Sequence, residues 1–63
     1  MYKGKVKFYN AHKGFGFISE EVSGKEVYVH SSGLRDTVSE GDTVIFEITR
    51  GKKGMTAIEV KLV

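Results

Sequence analysis

Two short segments hold the side chains best suited to chemistry: Lys13-Gly14-Phe15-Gly16-Phe17-Ile18 and Val27-Tyr28-Val29-His30. In a half-buried strand successive side chains point to opposite faces. Ile18, Val27 and Val29 are natural interior groups, which sends Phe15, Phe17, Tyr28 and His30 to the other face. Those four lie side by side if the two segments pair as a hairpin. The opposite assignment would bury His30 and leave two valines in water, so the first is preferred. A row of water-facing rings is a stacking surface. Unpaired bases gain about 1–3 kcal/mol each on such rings, with little sequence preference. Lys7 and Lys13 flank the row, where ammonium groups meet phosphates and add a salt-dependent attraction. Lys5 and Lys53 are weaker candidates of the same kind. Asn10 is placed either to bond a base or to cap its own turn. Tyr9 either joins the stack or covers an edge of the core. Strict alternation puts Phe8 on the inward face with Val6, and a bulge or bend in its strand would turn it outward.

The elements that must position these groups are strands. Period-2 patterning predicts a first strand over about 3–10, a second over about 15–20 and a third over 26–30. Asn10-Ala11-His12-Lys13-Gly14 and Ser23-Gly24 read as the turns between them. The alternation fails from Ser31 to Asp42, a long connection with room for one short helical turn near 31–34. Leu34 and Val38 are expected to plug an end of the core from this stretch. Thr43 to Thr49 is the fourth strand, with Val44, Phe46 and Ile48 on one face. Gly51-Lys52-Lys53-Gly54 is a basic turn, and about 55–62 is the fifth strand. Five short strands cannot cheaply leave their edges open, so closure into a small all-β barrel is expected.

Composition narrows the function classes. The chain has 63 residues, room for one hydrophobic core and so for a single domain over 1–63. It has no cysteine, which removes disulfides, cysteine-based zinc sites and a cysteine nucleophile. His12 and His30 stand far apart without carboxylates around them, so no metal or other cofactor is expected. The longest apolar run is three residues, Val44-Ile45-Phe46, against the roughly 20 that a membrane span needs. Residues 1–15 lack the apolar stretch of a signal peptide, and a cytoplasmic location is expected. The hydroxyls of Ser19, Ser23, Ser31, Ser32 and Ser39 have no base and orienting acid at readable spacing, so an enzyme is not expected. The formal net charge is +2, unevenly spread. Lys3, Lys5, Lys7 and Lys13 stand unopposed in residues 1–19. Residues 20–49 are dominated by Glu20, Glu21, Glu26, Asp36, Glu40, Asp42 and Glu47, and residues 50–63 return to positive. A fold that brings the two ends together would have a basic side suited to a polyanion.

Nearly the whole chain resembles the cold-shock domain family, single-domain proteins of the five-stranded antiparallel OB-fold barrel type. Gly4-x-Val6-Lys7 leads into an aromatic pair and Asn10. Lys13 to Ile18 then looks like the family's first ribonucleoprotein motif and Val27 to His30 like its second. Glu40-Gly41-Asp42-x-Val44-x-Phe46 resembles the start of the family's fourth strand, and Gly54-x-x-Ala57-x-x-Val60 its last strand. The first motif alone would suit an RRM domain, but that fold needs two helices and a longer chain. The resemblance implies a monomer that binds single-stranded RNA and single-stranded DNA and acts as an RNA chaperone, with no obligate protein partner. It also implies stacking roles for Phe8, Phe15, Phe17, Tyr28 and His30. Departures from the pattern are Phe8 for the usual Trp, Ser31 for an aromatic residue, Met55 for Pro and Glu59 for Asn. The loss of ring area at 8 and 31 predicts weaker or shorter-footprint binding. Two rival readings use the same features: a basic barrel coating duplex DNA, and an SH3-like module docking proline-rich peptides.

Overall fold

The computed structural model describes residues 1–51 and 54–63. Lys53, a candidate phosphate contact, lies outside the described residues, as does Lys52. Five strands, β1 (Tyr2–Asn10), β2 (Phe15–Glu20), β3 (Glu26–His30), β4 (Thr43–Gly51) and β5 (Gly54–Leu62), close into a barrel in the order β1-β2-β3-β5-β4. A single 3-10 turn, Ser31–Gly33, follows β3, in the stretch where alternation stops.

The barrel departs from an all-antiparallel reading at one seam. β3 runs parallel to β5, pairing Tyr28 with Thr56 and Val29 with Ala57, while the other seams are antiparallel. The crossover that a parallel neighbour needs is made by β4 together with the connection from Ser31 to Asp42 that leads into it. Its Leu34 bridges Val60, and the Arg35 N–H donates to the Val60 carbonyl at 2.8 Å. The order also corrects the expected basic side. β1 lies between β2 and β4 and is not hydrogen-bonded to β5, so the two basic ends of the chain are not neighbouring strands.

Val6, Ile18, Val27, Val29, Val44, Phe46, Ala57 and Val60 fill the interior, with Val38 closing one end and Leu34 packed against it. Ala57 and Val60 are three residues apart yet both fully buried, which strict alternation forbids. A bulge in β5 accounts for it: Ile45 faces Lys61 but Glu47 faces Ile58, leaving one extra residue in β5. Glu59 takes up the irregularity at φ 54°, in the left-handed region.

Glu20 is the one buried charged residue among those described. It ends β2 by organising the following turn, accepting from the Val22 N–H at 2.9 Å and from Ser23 N–H and Oγ at 2.9 and 2.7 Å. The Val22 N–H, then the Ser23 hydroxyl and N–H, hold its carboxyl below the ordinary carboxylate range, against a smaller opposing effect of burial. A lowered folded-state pKa contributes stability above the unfolded value that is lost as pH falls through the folded one. The melting temperature is therefore expected to decline below about pH 4. Glu20→Gln should melt lower than the parent at neutral pH and show a shallower decline. Only part of the slope disappears, because Glu59 is also held low, by Arg35. Parallel pH profiles for parent and variant would count against this role for Glu20.

Candidate nucleic-acid interface

The interior valines decide which way the motif residues face. Ile18, Val27 and Val29 are fully buried, so the opposite assignment fails. β2 and β3 pair with Phe15 opposite His30, Gly16 opposite Val29 and Phe17 opposite Tyr28. The rings do not stand separately in water. Phe15 stacks on Tyr28 at 6.2 Å between centroids and 20° between planes. It meets Phe17 edge-on at 6.4 Å and Phe8 at 6.1 Å, and Phe17 meets Tyr28 edge-on at 5.9 Å. Such contacts, stacked and edge-to-face, stabilise the rings by about 0.5–1.5 kcal/mol per pair beyond burial. The result is a preorganised platform in which Phe15, Phe17 and Tyr28 are half-buried by one another, while Phe8 and His30 are exposed.

Phe8 reaches this face through a bulge. Val6 faces Ile18, but Phe8 faces Phe17, so Lys7 is the extra residue of β1. Lys7 and Phe8 are consecutive and both exposed, after which Tyr9 turns inward. Tyr9 is half-buried against the core and makes no ring contact with the platform, so it lies at the core edge outside the ring cluster. Gly16 makes this possible: a Cβ there would lie 2.2 Å from the Phe8 carbonyl oxygen and 2.8 Å from Tyr9 Cδ1. Even alanine at 16 would collide with the neighbouring backbone.

The polar candidates divide. Asn10 caps its own turn, Oδ1 accepting from the Lys13 N–H at 3.0 Å, while Gly14 donates to the Asn10 carbonyl and turns at φ 73°. Lys13 is exposed at the end of the ring row and has no ion pair with a described residue. Lys7, expected to meet phosphate, is instead paired with Glu26 across the sheet, an arrangement that periodicity could not reveal. Lys5 is exposed, farther along β1, opposite Ser19 on β2 and Thr43 on β4. His30 is held by the turn after it. Its Nδ1 accepts from the Ser32 N–H at 3.1 Å and lies 3.0 Å from Ser32 Oγ, which leaves the proton of the neutral ring on Nε2.

A family model described as the 'Cold-shock' DNA-binding domain matches residues 2–63. The chain belongs to the cold-shock domain family. It is 48% identical over 62 residues to cold shock-like protein CspE of Escherichia coli (strain K12), covering 92% of this chain and 90% of that protein. Cold shock-like protein CspA of Stigmatella aurantiaca (strain DW4/3-1) is 43% identical over 65 residues, 97% of this chain and 96% of that one. Among solved structures, drosophila Unr CSD456 superposes with a TM-score of 0.82 at 22% identity, over 98% of this chain and 26% of that chain, a likeness of fold alone. Two departures from the cold-shock pattern acquire a structural meaning. Ser31 is exposed beside His30, its N–H donating to the Gly14 carbonyl at 2.8 Å. Glu59 replaces a customary Asn at a left-handed position, where Asn is tolerated better than Glu.

Proposed function

We propose that residues 1–63 form one domain that binds single-stranded RNA and DNA by stacking bases on Phe8, Phe15, Phe17, Tyr28 and His30. The observation that carries this reading is the four-ring cluster on the outward face of β1–β3, with His30 beside it, on a barrel whose interior is already full. Membership of the cold-shock family supports the same reading. Ring faces are open to unpaired bases only, so the platform favours single strands over duplex. By binding only the open form, the protein shifts weak hairpins toward the melted state by mass action, which is RNA-chaperone action without an energy source. The activity is binding, not catalysis, by a monomer in the cytoplasm. Among the described residues no helix is long and apolar enough to cross a membrane.

Lys13 contributes to phosphate attraction directly. Lys7 does so by exchanging Glu26 for a phosphate. For a single strand, log K falls with log salt by about 0.7 per phosphate neutralised, so affinity should drop as salt rises. The direct test is an NMR titration with oligothymidylate and U-rich RNA at two salt concentrations. Shifts concentrated at residues 7–17 and 28–30 are expected. Preference for duplex in competition, or binding of a proline-rich peptide that added oligonucleotide does not displace, would refute the reading.

Ser31 offers a gain-of-function test. Ser31→Phe adds a ring next to His30 over the Cβ-free Gly14, where a Cβ would lie 3.1 Å from the serine Oγ. Tighter binding of oligothymidylate by about 1–3 kcal/mol is expected. A variant that folds and binds no better than the parent would sink the claim that the missing ring limits affinity.

A further inference from the structure

The platform does not stop at β3. Val29 and Ala57 are both fully buried across the parallel seam, so their neighbours Tyr28 and His30 on β3, and Thr56 and Ile58 on β5, face outward together. Beyond His30 this surface dips into a cavity of about 340 Å³, at the lower end of the range for small-ligand sites. Among the residues that line it are Thr56 and Ile58 of β5, His30 and Ser32 from the end of β3 and its turn, and the pair Arg35 and Glu59.

Arg35 and Glu59 are joined in a specific way. The guanidinium approaches the carboxylate side-on, Nε donating to Oε2 at 3.0 Å and Nη2 to Oε1. Both residues are also anchored through the backbone: the Arg35 N–H donates to the Val60 carbonyl, and Glu59 is the bulge residue of β5. Side-on pairing consumes two of the five guanidinium N–H groups. It leaves free the end-on edge, where Nη1–H and the second Nη2–H form a parallel donor fork. The Arg35 side chain remains 60% exposed, and no described residue bonds to that fork.

We propose that Arg35, braced by Glu59, reads the O6/N7 edge of a guanine seated beside His30, giving a sequence-tolerant platform one base-selective end. The inference rests on the ring cluster being a nucleic-acid interface. Guanine is the base whose O6 and N7 present two adjacent acceptors. On the same edge adenine offers one acceptor beside an amino donor, cytosine an amino donor, and thymine one acceptor beside a methyl group. In a single strand this edge is unobstructed, but so is the pairing edge of cytosine, whose N3 and O2 are also adjacent acceptors. A matching dC series is therefore run beside dG, and an equal gain from dC overturns the guanine assignment. Glu59 acts as a positioning residue, since a guanidinium already held in place loses less freedom on binding. A phosphate also presents paired acceptors to such a fork, and the test separates the two.

Short oligothymidylate is compared, by tyrosine fluorescence titration, with versions carrying one dG at each position in turn. A dG at one end is expected to tighten binding at least about fivefold, the lower bound for a bidentate base contact. Substitution of that dG by 7-deazaguanine, which lacks the N7 acceptor, should remove most of the gain without touching the protein. Arg35→Lys, which keeps the charge but not the fork, should bind oligothymidylate like the parent and lose the dG preference. Equal binding of all the oligomers overturns the assignment, as does a dG preference that survives in Arg35→Lys. An Arg35→Lys variant that weakens every oligomer alike also overturns it, because Arg35 would then be a phosphate contact. If no oligomer binds at all, the interface reading itself fails, not only the role of Arg35.

Discussion

Phe15→Ala is expected to weaken oligothymidylate binding by about 1–3 kcal/mol, roughly fivefold to 150-fold in Kd, while leaving the barrel folded. Phe15 is the centre of the platform. It stacks on Tyr28 and meets Phe8 and Phe17 edge-on, so its removal deletes one stacking face and the buttress of three others. The effect should therefore exceed that of Phe8→Ala, whose ring has Phe15 as its one ring partner among the described residues. Stability should fall as well, because the three ring contacts of Phe15 carry about 0.5–1.5 kcal/mol each, yet Phe15 lies outside the core cluster and the barrel interior stays filled. Thermal melting beside the titration separates the two effects. Unaltered affinity in a folded Phe15→Ala variant would remove the central ring from the binding surface and most of the reading with it.

Phe46→Ala is expected to leave the chain unfolded at room temperature. Phe46 is the largest fully buried side chain, and Tyr2 stacks over it at 6.0 Å and 21°. Truncating a buried Phe costs about 3–5 kcal/mol through lost transfer energy and the void left behind. A domain of this size, without disulfide or metal, has about 3–5 kcal/mol of net stability to lose. The far-UV circular dichroism and the amide dispersion of the NMR spectrum should both collapse. A well-dispersed spectrum with a melting temperature near the parent's would show that the core repacks around the void. The contrast between the two phenylalanines is instructive: one is expected to lose binding with the fold kept, the other to lose binding because the fold is gone.

How much of this was legible in the sequence can be judged strand by strand. The faces of β2 and β3 were readable because side-chain direction in a regular strand is a local property. Alternation separates Ile18, Val27 and Val29 from Phe15, Phe17, Tyr28 and His30, and the cost of burying His30 while exposing two valines selects which set faces inward. The 31–42 connection was readable too, because alternation stops there, and Leu34 and Val38 pack as expected. Phe8 and Tyr9 were not readable. Their directions depend on a bulge at Lys7, which arises where the register of β1 against β2 shifts. The same limit applies to β5, where the bulge at Glu59 re-phases Val60 toward the core.

The amino-acid sequence by itself determined the strands, the turns, the ring-bearing face and the class of ligand that face suits. These depend on neighbours within a few positions, where sterics and hydrophobic alternation act directly. The tertiary structure alone decided that Phe8 joins the platform and Tyr9 leaves it, that Lys7 is paired with Glu26, and that Arg35 is braced by Glu59. It also decided that β3 closes on β5 in parallel, which carries the platform toward the Arg35 cavity. Each of these is a meeting of groups distant along the chain, 19 positions for Lys7 with Glu26 and 24 for Arg35 with Glu59. Such meetings are set by the register of strands around the closed barrel, and local patterning does not encode that register.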